Sequence, residues 1–365
     1  MKLRERVLQG IAAGKPGTGP LTVHVDVTNA CNAACITCWD HSPLLTQPRS
    51  AQWKRMRMEG AVFRRLIEEL DALGSLQAVI LSGMGDPLVH PEIYDFARVV
   101  KDRGKHLTLL TNLVAADIER LALSQVDQLL VGVHGASARS YLAFHPGFTE
   151  KHFNELCRYL RVLAQVGTTM RFVNVIDKDN AHELCDMVRF GKEFGAARVN
   201  FKLASLYAGT EACSVDADQL RTLANESISE AHALAERLGV QTNLDLFEQQ
   251  VAAAQGSPRA TTPIADVGCY MGHVYTRITV EGDVLYCCNT QVRVGHLDDA
   301  PFAELWQGAA WQALRKRLAL GQYFPGCDKC GKFEQNVKWS ERVRAAGIDA
   351  APAPRDEPVR LRVVS

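Results

Sequence analysis

The sequence lacks an excess of either charge, a long apolar run and an internal repeat. Its 365 residues include 41 Lys and Arg against 41 Asp and Glu, so nothing in the charge balance favours a polyanion such as nucleic acid. No apolar run approaches the length of a membrane-spanning helix, and the first six residues, MKLRER, lack the apolar core of a signal peptide. We therefore expect a cytoplasmic chain with neither nucleic-acid nor membrane partners.

What the chain has in unusual number is cysteine. Three of its eleven cysteines lie within residues 31–38, and five more lie between Cys269 and Cys330. In a reducing compartment, clustered cysteines are more often metal ligands or reactive thiols than disulfide partners. The chemistry is therefore expected at these two groups.

Strand and helix patterns alternate through the first two thirds of the chain. Strands are predicted at 21–27, 78–81, 106–110, 129–133, 170–176 and 198–203, and helices at 58–74, 92–103, 116–124, 149–166 and 181–194. Connections of this length force parallel pairing of the strands. The fold class is therefore α/β, either a doubly wound sheet or an open barrel, with functional loops at the C-terminal ends of the strands.

The first cysteine group, Cys31, Cys35 and Cys38, directly follows the first predicted strand. Three thiolates from one loop suit three irons of a [4Fe-4S] cluster and leave the fourth iron without a protein ligand. A zinc site completed by His41 is the alternative. Spacing thus predicts a metal centre with an open position.

This spacing after a first strand resembles the signature of the radical S-adenosylmethionine (SAM) enzymes. The resemblance implies a partial (β/α)6 barrel over residues 21–205, with SAM bound at the open iron. It also implies reductive cleavage of SAM to a 5′-deoxyadenosyl radical, which removes a hydrogen atom from a substrate. A flavodoxin or ferredoxin is the implied electron donor.

A second segment strengthens the resemblance. Gly83, Met84, Gly85, Asp86 and Pro87 resemble the glycine-rich segment that binds the methionine end of SAM in this family, with Met84 in place of a glycine and Asp86 in place of a glutamate. Glycine permits close backbone approach, and an acid suits an ammonium group.

Other strand ends supply further candidate SAM contacts. They are Thr111 and Asn112 after the third strand and Asn174 in the fifth, with a structural turn or a buried polar group as the alternative reading. Trp39 is a candidate to pack on the adenine.

The second cysteine group comprises Cys269, Cys287, Cys288 and the pair Cys327 and Cys330. A hairpin turn at Gly282 would bring Cys269 and Cys287 together, and Cys327 and Cys330 would complete four thiolates. Four thiolates suit either a fully ligated cluster or a structural zinc site. The spacing resembles the shortened SPASM domain called twitch, which implies one auxiliary [4Fe-4S] cluster with Cys288 surplus. The chain would then hold two [4Fe-4S] clusters.

Three further residues are candidates for catalysis. His134 ends the fourth strand, Lys202 lies near the end of the sixth, and Cys213 lies in the following loop. Some relatives use such a loop cysteine as a hydrogen-atom donor. A turn histidine and a plain loop thiol are the structural alternatives.

The predicted organisation has five parts. They are an N-terminal lead (1–20), the radical SAM core (21–205), a helical connecting segment (206–262), the SPASM/twitch domain (263–340) and a flexible tail (341–365). We expect a small-molecule substrate, aminocyclitol-like or sugar-like, that is dehydrogenated or epimerised. A peptide-modifying enzyme and a non-enzymatic iron–sulfur or zinc protein are the alternatives.

Overall fold

A computed structural model describes residues 1–256, 264–327 and 330–348. Most of the domain boundary expected near 256–263, and the tail from residue 349, lie outside these ranges. Within them, no helix is both long and apolar enough to cross a membrane.

The described residues form ten strands and fifteen α-helices. The strands are β1 Thr22–Thr28, β2 Ala78–Gly83, β3 His106–Thr111, β4 Gln128–Gly132, β5 Met170–Ile176, β6 Arg198–Leu203, β7 Gln241–Thr242, β8 Tyr275–Ile278, β9 Asp283–Leu285 and β10 Arg293–His296. The helices are α1 Leu3–Ala12, α2 Gly60–Ala72, α3 Ile93–Lys101, α4 Ile118–Leu123, α5 Ala138–Phe144, α6 Glu150–Gln165, α7 Leu184–Glu193, α8 Ala217–Thr222, α9 Ile228–Leu238, α10 Leu244–Ala254, α11 Ile264–Val267, α12 Met271–Val274, α13 Phe302–Gln307, α14 Ala309–Ala319 and α15 Phe333–Ala345.

The chain divides into two compact units. The central unit comprises Asp26–Gly60 and Ile80–Thr261, and the terminal unit comprises Met1–Val25, Ala61–Val79 and the chain from Thr262 onward. Strands β1 and β2 pass from one unit into the other. The start of the predicted core and helix α2 therefore group with the C-terminal part of the chain.

The central unit is built on parallel strands in sequence order, β1 to β7. The pairs from β3 through β7 are all parallel, which confirms the α/β class and the parallel arrangement expected from the sequence. Buried and less buried residues alternate along β5 and β6. One face, with Val199 and Phe201, packs on α7, α9 and α10 in the apolar core, so the intervening residues Arg198, Asn200 and Lys202 lie on the other face.

The terminal unit contains the hairpin predicted around Gly282. Strands β8 and β9 pair antiparallel, and Gly282 adopts a left-handed conformation, φ 94°, in the turn. β8 also pairs in parallel with the first four residues of β1. Arg315 is buried between Trp306 and Trp311 and donates to the carbonyl oxygens of Gly272 and Trp306 at 2.7 and 3.0 Å.

Several predicted boundaries are wrong. Helices α1 and α5 were not expected. The sequence pattern also predicts a helix over 216–238, which is confirmed with a π turn at Leu223–Ser227, and one over 302–318, which is interrupted at Gly308. The tail predicted from residue 341 begins inside α15. Short helices such as α5 depend on packing rather than on propensity, which explains why local patterns miss them.

The side chains of Asp177 and Asn180 hold the turn that follows β5. The Asp177 Oδ1 accepts from the backbone N–H groups of Asp179 and Asn180 at 2.9 and 3.2 Å. Asn180 Nδ2 donates to the carbonyl oxygens of His134 and Val175 at 2.8 and 2.9 Å, which ties the end of β4 to β5. Asp177 is fully buried, and its Oδ2 has no hydrogen-bond partner among the described residues. Burial raises the pKa of Asp177 to about 6.

We predict that Asp177→Asn stabilises the protein at pH 8. Because the folded-state pKa lies above the unfolded one, ionised Asp177 opposes folding above pH 6, and this penalty disappears as the pH falls to about 4. The amide keeps the accepting oxygen and removes the buried charge, so the gain should be about 2 kcal/mol at pH 8 and near zero at pH 4.

Urea unfolding at both pH values measures this difference. The matched control is Asp179→Asn, which changes an exposed carboxylate in the same turn. A gain for Asp177→Asn that is equal at the two pH values would contradict the prediction.

Candidate functional site

The cysteine loop, residues 30–39, begins at the C-terminal end of β1. Ala30 N donates to Thr28 Oγ1 at 3.0 Å, and Ile36 N donates to the Phe144 carbonyl oxygen at 3.1 Å. The loop is therefore held at its start by β1 and in its middle by the end of α5.

The glycine-rich segment lies directly against the start of this loop. Gly85 N and Asp86 N donate to the carbonyl oxygens of Thr28 and Ala30 at 3.2 and 2.9 Å. A Cβ on Gly83 would lie 2.0 Å from the Thr28 oxygen, and one on Gly85 would lie 1.8 Å from the Ala30 oxygen. Only glycine permits this approach.

Asp86 connects the same segment to the end of β3. Its carboxylate accepts from Leu88 N at 2.9 Å, from Thr111 Oγ1 at 2.8 Å and from Asn112 N at 2.7 Å. Asp86 is buried, and burial raises its pKa although these hydrogen bonds oppose the rise. The shorter acid thus has a positioning role, and its contact with an ammonium group stays a prediction.

Asn112 adds a third connection. Its Nδ2 donates to Asn32 Oδ1 at 2.8 Å, and Asn32 Nδ2 returns a bond of 3.4 Å to Asn112 Oδ1. The ends of β1, β2 and β3 therefore converge on the cysteine loop, as the sequence predicts for the C-terminal edge of parallel strands.

The three thiols of this loop lie close together. Burial raises the pKa of all three thiols. The pKa of Cys31 reaches about 12, and the nearby Asp86 carboxylate is the second cause of that rise. Ala33 N donates to Cys31 Sγ at 3.4 Å and His41 N donates to Cys38 Sγ at 3.3 Å. Backbone N–H groups directed at sulfur suit thiolates that ligate iron, and bound iron would supply the positive charge that displaces the protons.

The geometry disfavours the zinc alternative at His41. His41 Nε2 donates to the Asn29 carbonyl oxygen at 2.9 Å. Burial lowers the pKa of His41, and backbone hydrogen bonds with Asn29 and Met84 oppose this shift. Over the described residues, no three His, Cys, Asp or Glu side chains are placed to hold a single metal ion.

Two candidate residues lie beside the cysteine loop. Trp39 is 56% exposed, and its Nε1 donates to the Ser205 carbonyl oxygen at 2.6 Å after β6. Cys213 is buried and directs its Sγ at the Ile36 carbonyl oxygen, 3.9 Å away. The structure thus brings Cys213 to the predicted SAM end of the unit.

His134 occupies a constrained position at the end of β4. It has a left-handed backbone, φ 61°, its N–H donates to Asn174 Oδ1 at 3.1 Å, and its Nδ1 accepts from Val175 N at 3.0 Å. Its ring stacks on Phe144 at 4.3 Å. Burial, followed by the nearby His145 and Lys202, lowers its pKa well below the ordinary value, so the ring is neutral.

Asn174 and Lys202 occupy opposite faces of the sheet. Asn174 is buried and pairs in register with the core residue Phe201. Its side chain accepts a hydrogen bond from His134 N, and its contact with SAM stays a prediction. Lys202 lies on the other face with an exposed side chain, and desolvation by the surrounding protein lowers its pKa.

Two polar groups at α5 were missed by the sequence analysis. Tyr141 is buried with no partner for its hydroxyl among the described residues, and its pKa is raised by burial and then by the Cys35 thiol. His145 donates through Nδ1 to the Tyr141 carbonyl oxygen at 2.8 Å and leaves Nε2 without a described partner. The Ser137 N-cap was the available signal for α5.

The C-terminal cysteines gather in the terminal unit. Burial raises the pKa of Cys269 to about 12, and the thiols of Cys330, Cys327 and Cys288 contribute to the rise. Asn336 is fully buried, donates through Nδ2 to Cys330 Sγ at 3.7 Å and accepts from Tyr270 N at 2.8 Å. These thiols fit a multi-iron cluster with four cysteine ligands.

Cys288 also belongs to this group. A Cβ on Gly331 would lie 3.2 Å from Cys288 Sγ. Hydrogen bonding from Cys287, followed by the charges of Lys332 and Arg277, lowers the pKa of Cys288 despite burial. Cys288 therefore lies within the same group of thiols.

Comparisons with known proteins agree with both centres. Residues 25–191 match the sequence profile of the radical SAM superfamily, and residues 269–331 match that of SPASM, an iron–sulfur cluster-binding domain.

Two characterised relatives and one solved structure align over most of the chain. The AdoMet-dependent heme synthase of Methanosarcina barkeri is 25% identical over 334 residues, 85% of this chain and 91% of the relative. The PqqA peptide cyclase of Gluconobacter oxydans is 22% identical over 312 residues, 79% and 76% of the two chains. Streptococcus suis SuiB, solved with its precursor peptide SuiA, superposes with a TM-score of 0.61 at 17% identity, covering 85% of this chain and 70% of SuiB.

These findings confirm the predicted partial-barrel fold and the predicted cofactor classes, iron–sulfur clusters and SAM. The chain thus carries a radical SAM domain over residues 25–191 and a C-terminal SPASM iron–sulfur cluster-binding domain over residues 269–331.

Proposed function

We propose that this enzyme cleaves SAM reductively at a cluster held by Cys31, Cys35 and Cys38. The observation that carries the proposal is the convergence of the β1, β2 and β3 ends on the cysteine loop through Gly85, Asp86 and Asn112. When bound, the cluster and SAM together supply a 5′-deoxyadenosyl radical able to remove hydrogen from an unactivated carbon.

The protein's own residues fix the geometry of this reaction. The Gly83–Pro87 segment is held by the backbone bonds from Gly85 and Asp86, and the Asp86 carboxylate keeps Thr111 and Asn112 in place. Trp39 is proposed to cover the adenine, and Thr111, Asn112 and Asn174 are proposed to lie at the nucleoside and carboxylate ends of SAM. Such prior ordering reduces the entropy cost of reaching a reactive geometry.

The substrate proposed is a small molecule that loses hydrogen and is dehydrogenated or epimerised. Support comes from the heme synthase relative, whose alignment spans 85% of this chain. Lys202 and neutral His134 are proposed to contact the substrate, and Cys213 is proposed as the hydrogen-atom donor if epimerisation is the outcome. The buried Cys213 thiol has a pKa raised by burial, so it stays protonated and retains the hydrogen atom it would donate.

The terminal unit is proposed to hold one auxiliary cluster through Cys269, Cys287, Cys327 and Cys330. These four thiols would hold the cluster, which would supply the one-electron acceptor that net dehydrogenation requires. A flavodoxin or ferredoxin is the proposed external donor for SAM cleavage, and the cytoplasm is the proposed compartment.

Peptide modification is the second candidate. It is favoured by the likeness to the PqqA peptide cyclase and by the fold shared with the peptide-bound SuiB structure. Assays of SAM cleavage with and without a candidate peptide separate the candidates, because a true substrate couples cleavage to its own modification.

The first functional prediction concerns the cysteine loop. Changing Cys31, Cys35 and Cys38 together to Ala should abolish 5′-deoxyadenosine formation with dithionite, because no cluster remains to bind SAM. Anaerobically reconstituted wild-type protein should carry about eight irons per chain, and the triple variant about four. Retained cleavage in the triple variant would refute the proposal, and the Cys157→Ala/Cys185→Ala variant is the control for loss of thiols elsewhere.

The second prediction concerns the contact between the two loops. Gly85→Ala should reduce SAM cleavage by at least about tenfold, because its Cβ, 1.8 Å from the Ala30 oxygen, must displace the cysteine loop. The reduction should appear with iron and sulfide content unchanged or only partly reduced. Gly308→Ala, with its nearest oxygen at 3.0 Å, is the control and should retain cleavage. Equal rates for Gly85→Ala and wild type would show that the contact does not position SAM.

A further inference from the structure

Two arginines occupy directly opposite positions on β5 and β6. Arg171 and Arg198 are register partners in this parallel pair, on the face turned away from the helices. Neighbouring strands lie about 4.8 Å apart, so the two side chains leave the sheet side by side. Both are only partly buried.

This pairing is unfavourable unless an anion is present. Like charges directly opposite each other destabilise a sheet. Over the described residues, neither arginine side chain has an ion pair or a hydrogen bond, and Arg198 Nε is buried without a partner. A guanidinium group offers paired donors that match the geometry of a carboxylate.

No acidic residue lies beside the two arginines in the same row of the sheet. Leu130 of β4 pairs with Arg171, and Gln241 of β7 pairs with Arg198. On the same face of the described strands β2 to β7, the other side chains are neutral or basic. Asp26 of β1, on the far side of the parallel strands, accepts from Ser82 Oγ at 3.0 Å.

Two valines and one asparagine separate the arginines from a third cation. Val173 and Val175 follow Arg171 along β5 on this face, with Asn200 opposite Val173 and Lys202 opposite Val175 on β6. Lys202 lies four positions after Arg198, which is roughly 13 Å along an extended strand. Lys202 is near neutral His134, at the end of the sheet where the cysteine loop lies.

We infer that this face binds the substrate, an extended molecule with an apolar body and at least two carboxylates. One carboxylate would be held by Arg171 and Arg198, the apolar body would cover Val173 and Val175, and a second carboxylate would lie near Lys202. The inference rests on the proposed function and names the substrate class of the same site.

The experiment is titration calorimetry with a rigid probe, 4,4′-biphenyldicarboxylate, on the anaerobically reconstituted full chain with SAM bound. Biphenyl-4-carboxylate, which lacks one carboxylate, and inorganic phosphate serve as comparison ligands at constant ionic strength. The dicarboxylate should bind at least about tenfold more tightly than either.

Variants of the pair test the residues themselves. Arg171→Gln and Arg198→Gln should each weaken the dicarboxylate about tenfold, and Arg171→Lys should weaken it less because the charge remains without the fork of donors. Arg221→Gln, which removes the same charge from an exposed helical position, is the control and should bind as wild type does.

A second measurement separates a binding role from a structural one. Without any anion, Arg171→Gln should raise the melting temperature because it relieves the like-charge pair. Equal affinity for the mono- and dicarboxylate, equal affinity for phosphate, or unchanged binding in both glutamine variants would each overturn the inference.

Failure of the proposed function is distinguishable from failure of this inference. Reductive SAM cleavage by the wild type is measured separately. Tight, arginine-dependent dicarboxylate binding in a protein that does not cleave SAM would support the inference and count against the proposed chemistry.

Discussion

The structure of the central unit depends on one close approach between backbones. The glycine-rich segment after β2 lies so near the start of the cysteine loop that a single methyl group at Gly85 would overlap the Ala30 carbonyl oxygen. Two N–H donors from the segment satisfy carbonyl groups of the loop, so the contact is attractive as well as close. This contact adds to the bonds from Ile36 and Trp39 that hold the middle and the end of the cysteine loop.

Asp86 extends that framework to a third strand. A buried carboxylate is costly without donors, and this one receives them from its own turn and from the end of β3. Asp86 therefore connects the end of β3 to the cysteine loop, and the hydrogen bond between Asn112 and Asn32 forms a second connection. The site is assembled from strand ends whose order is set by the parallel sheet.

Sequence patterns predicted the parts of this architecture that local chemistry determines. The bounds of β5 and β6 agree with prediction to the residue: buried and less buried positions alternate along β5, and polar and apolar residues alternate along β6. The two cysteine groups were recognisable from spacing alone. The Asn32–Asn112 pair joins residues 80 positions apart, and no local pattern reports it. Likewise Asp86 was predicted to face a ligand, while the strands around it supply partners that only the folded chain brings together.

The backbone at His134 has a consequence for how this position can vary. Its left-handed conformation costs free energy for a residue with a Cβ, and asparagine tolerates it better than most. Here the main-chain N–H and carbonyl oxygen are each bound by an asparagine side chain, from Asn174 and Asn180. The main chain of the turn is thus held by two amide side chains, in addition to the bond from Val175 N to the imidazole. Other side chains at position 134 would therefore occupy the same space, while Asn174 and Asn180 keep the ends of β4 and β5 in position.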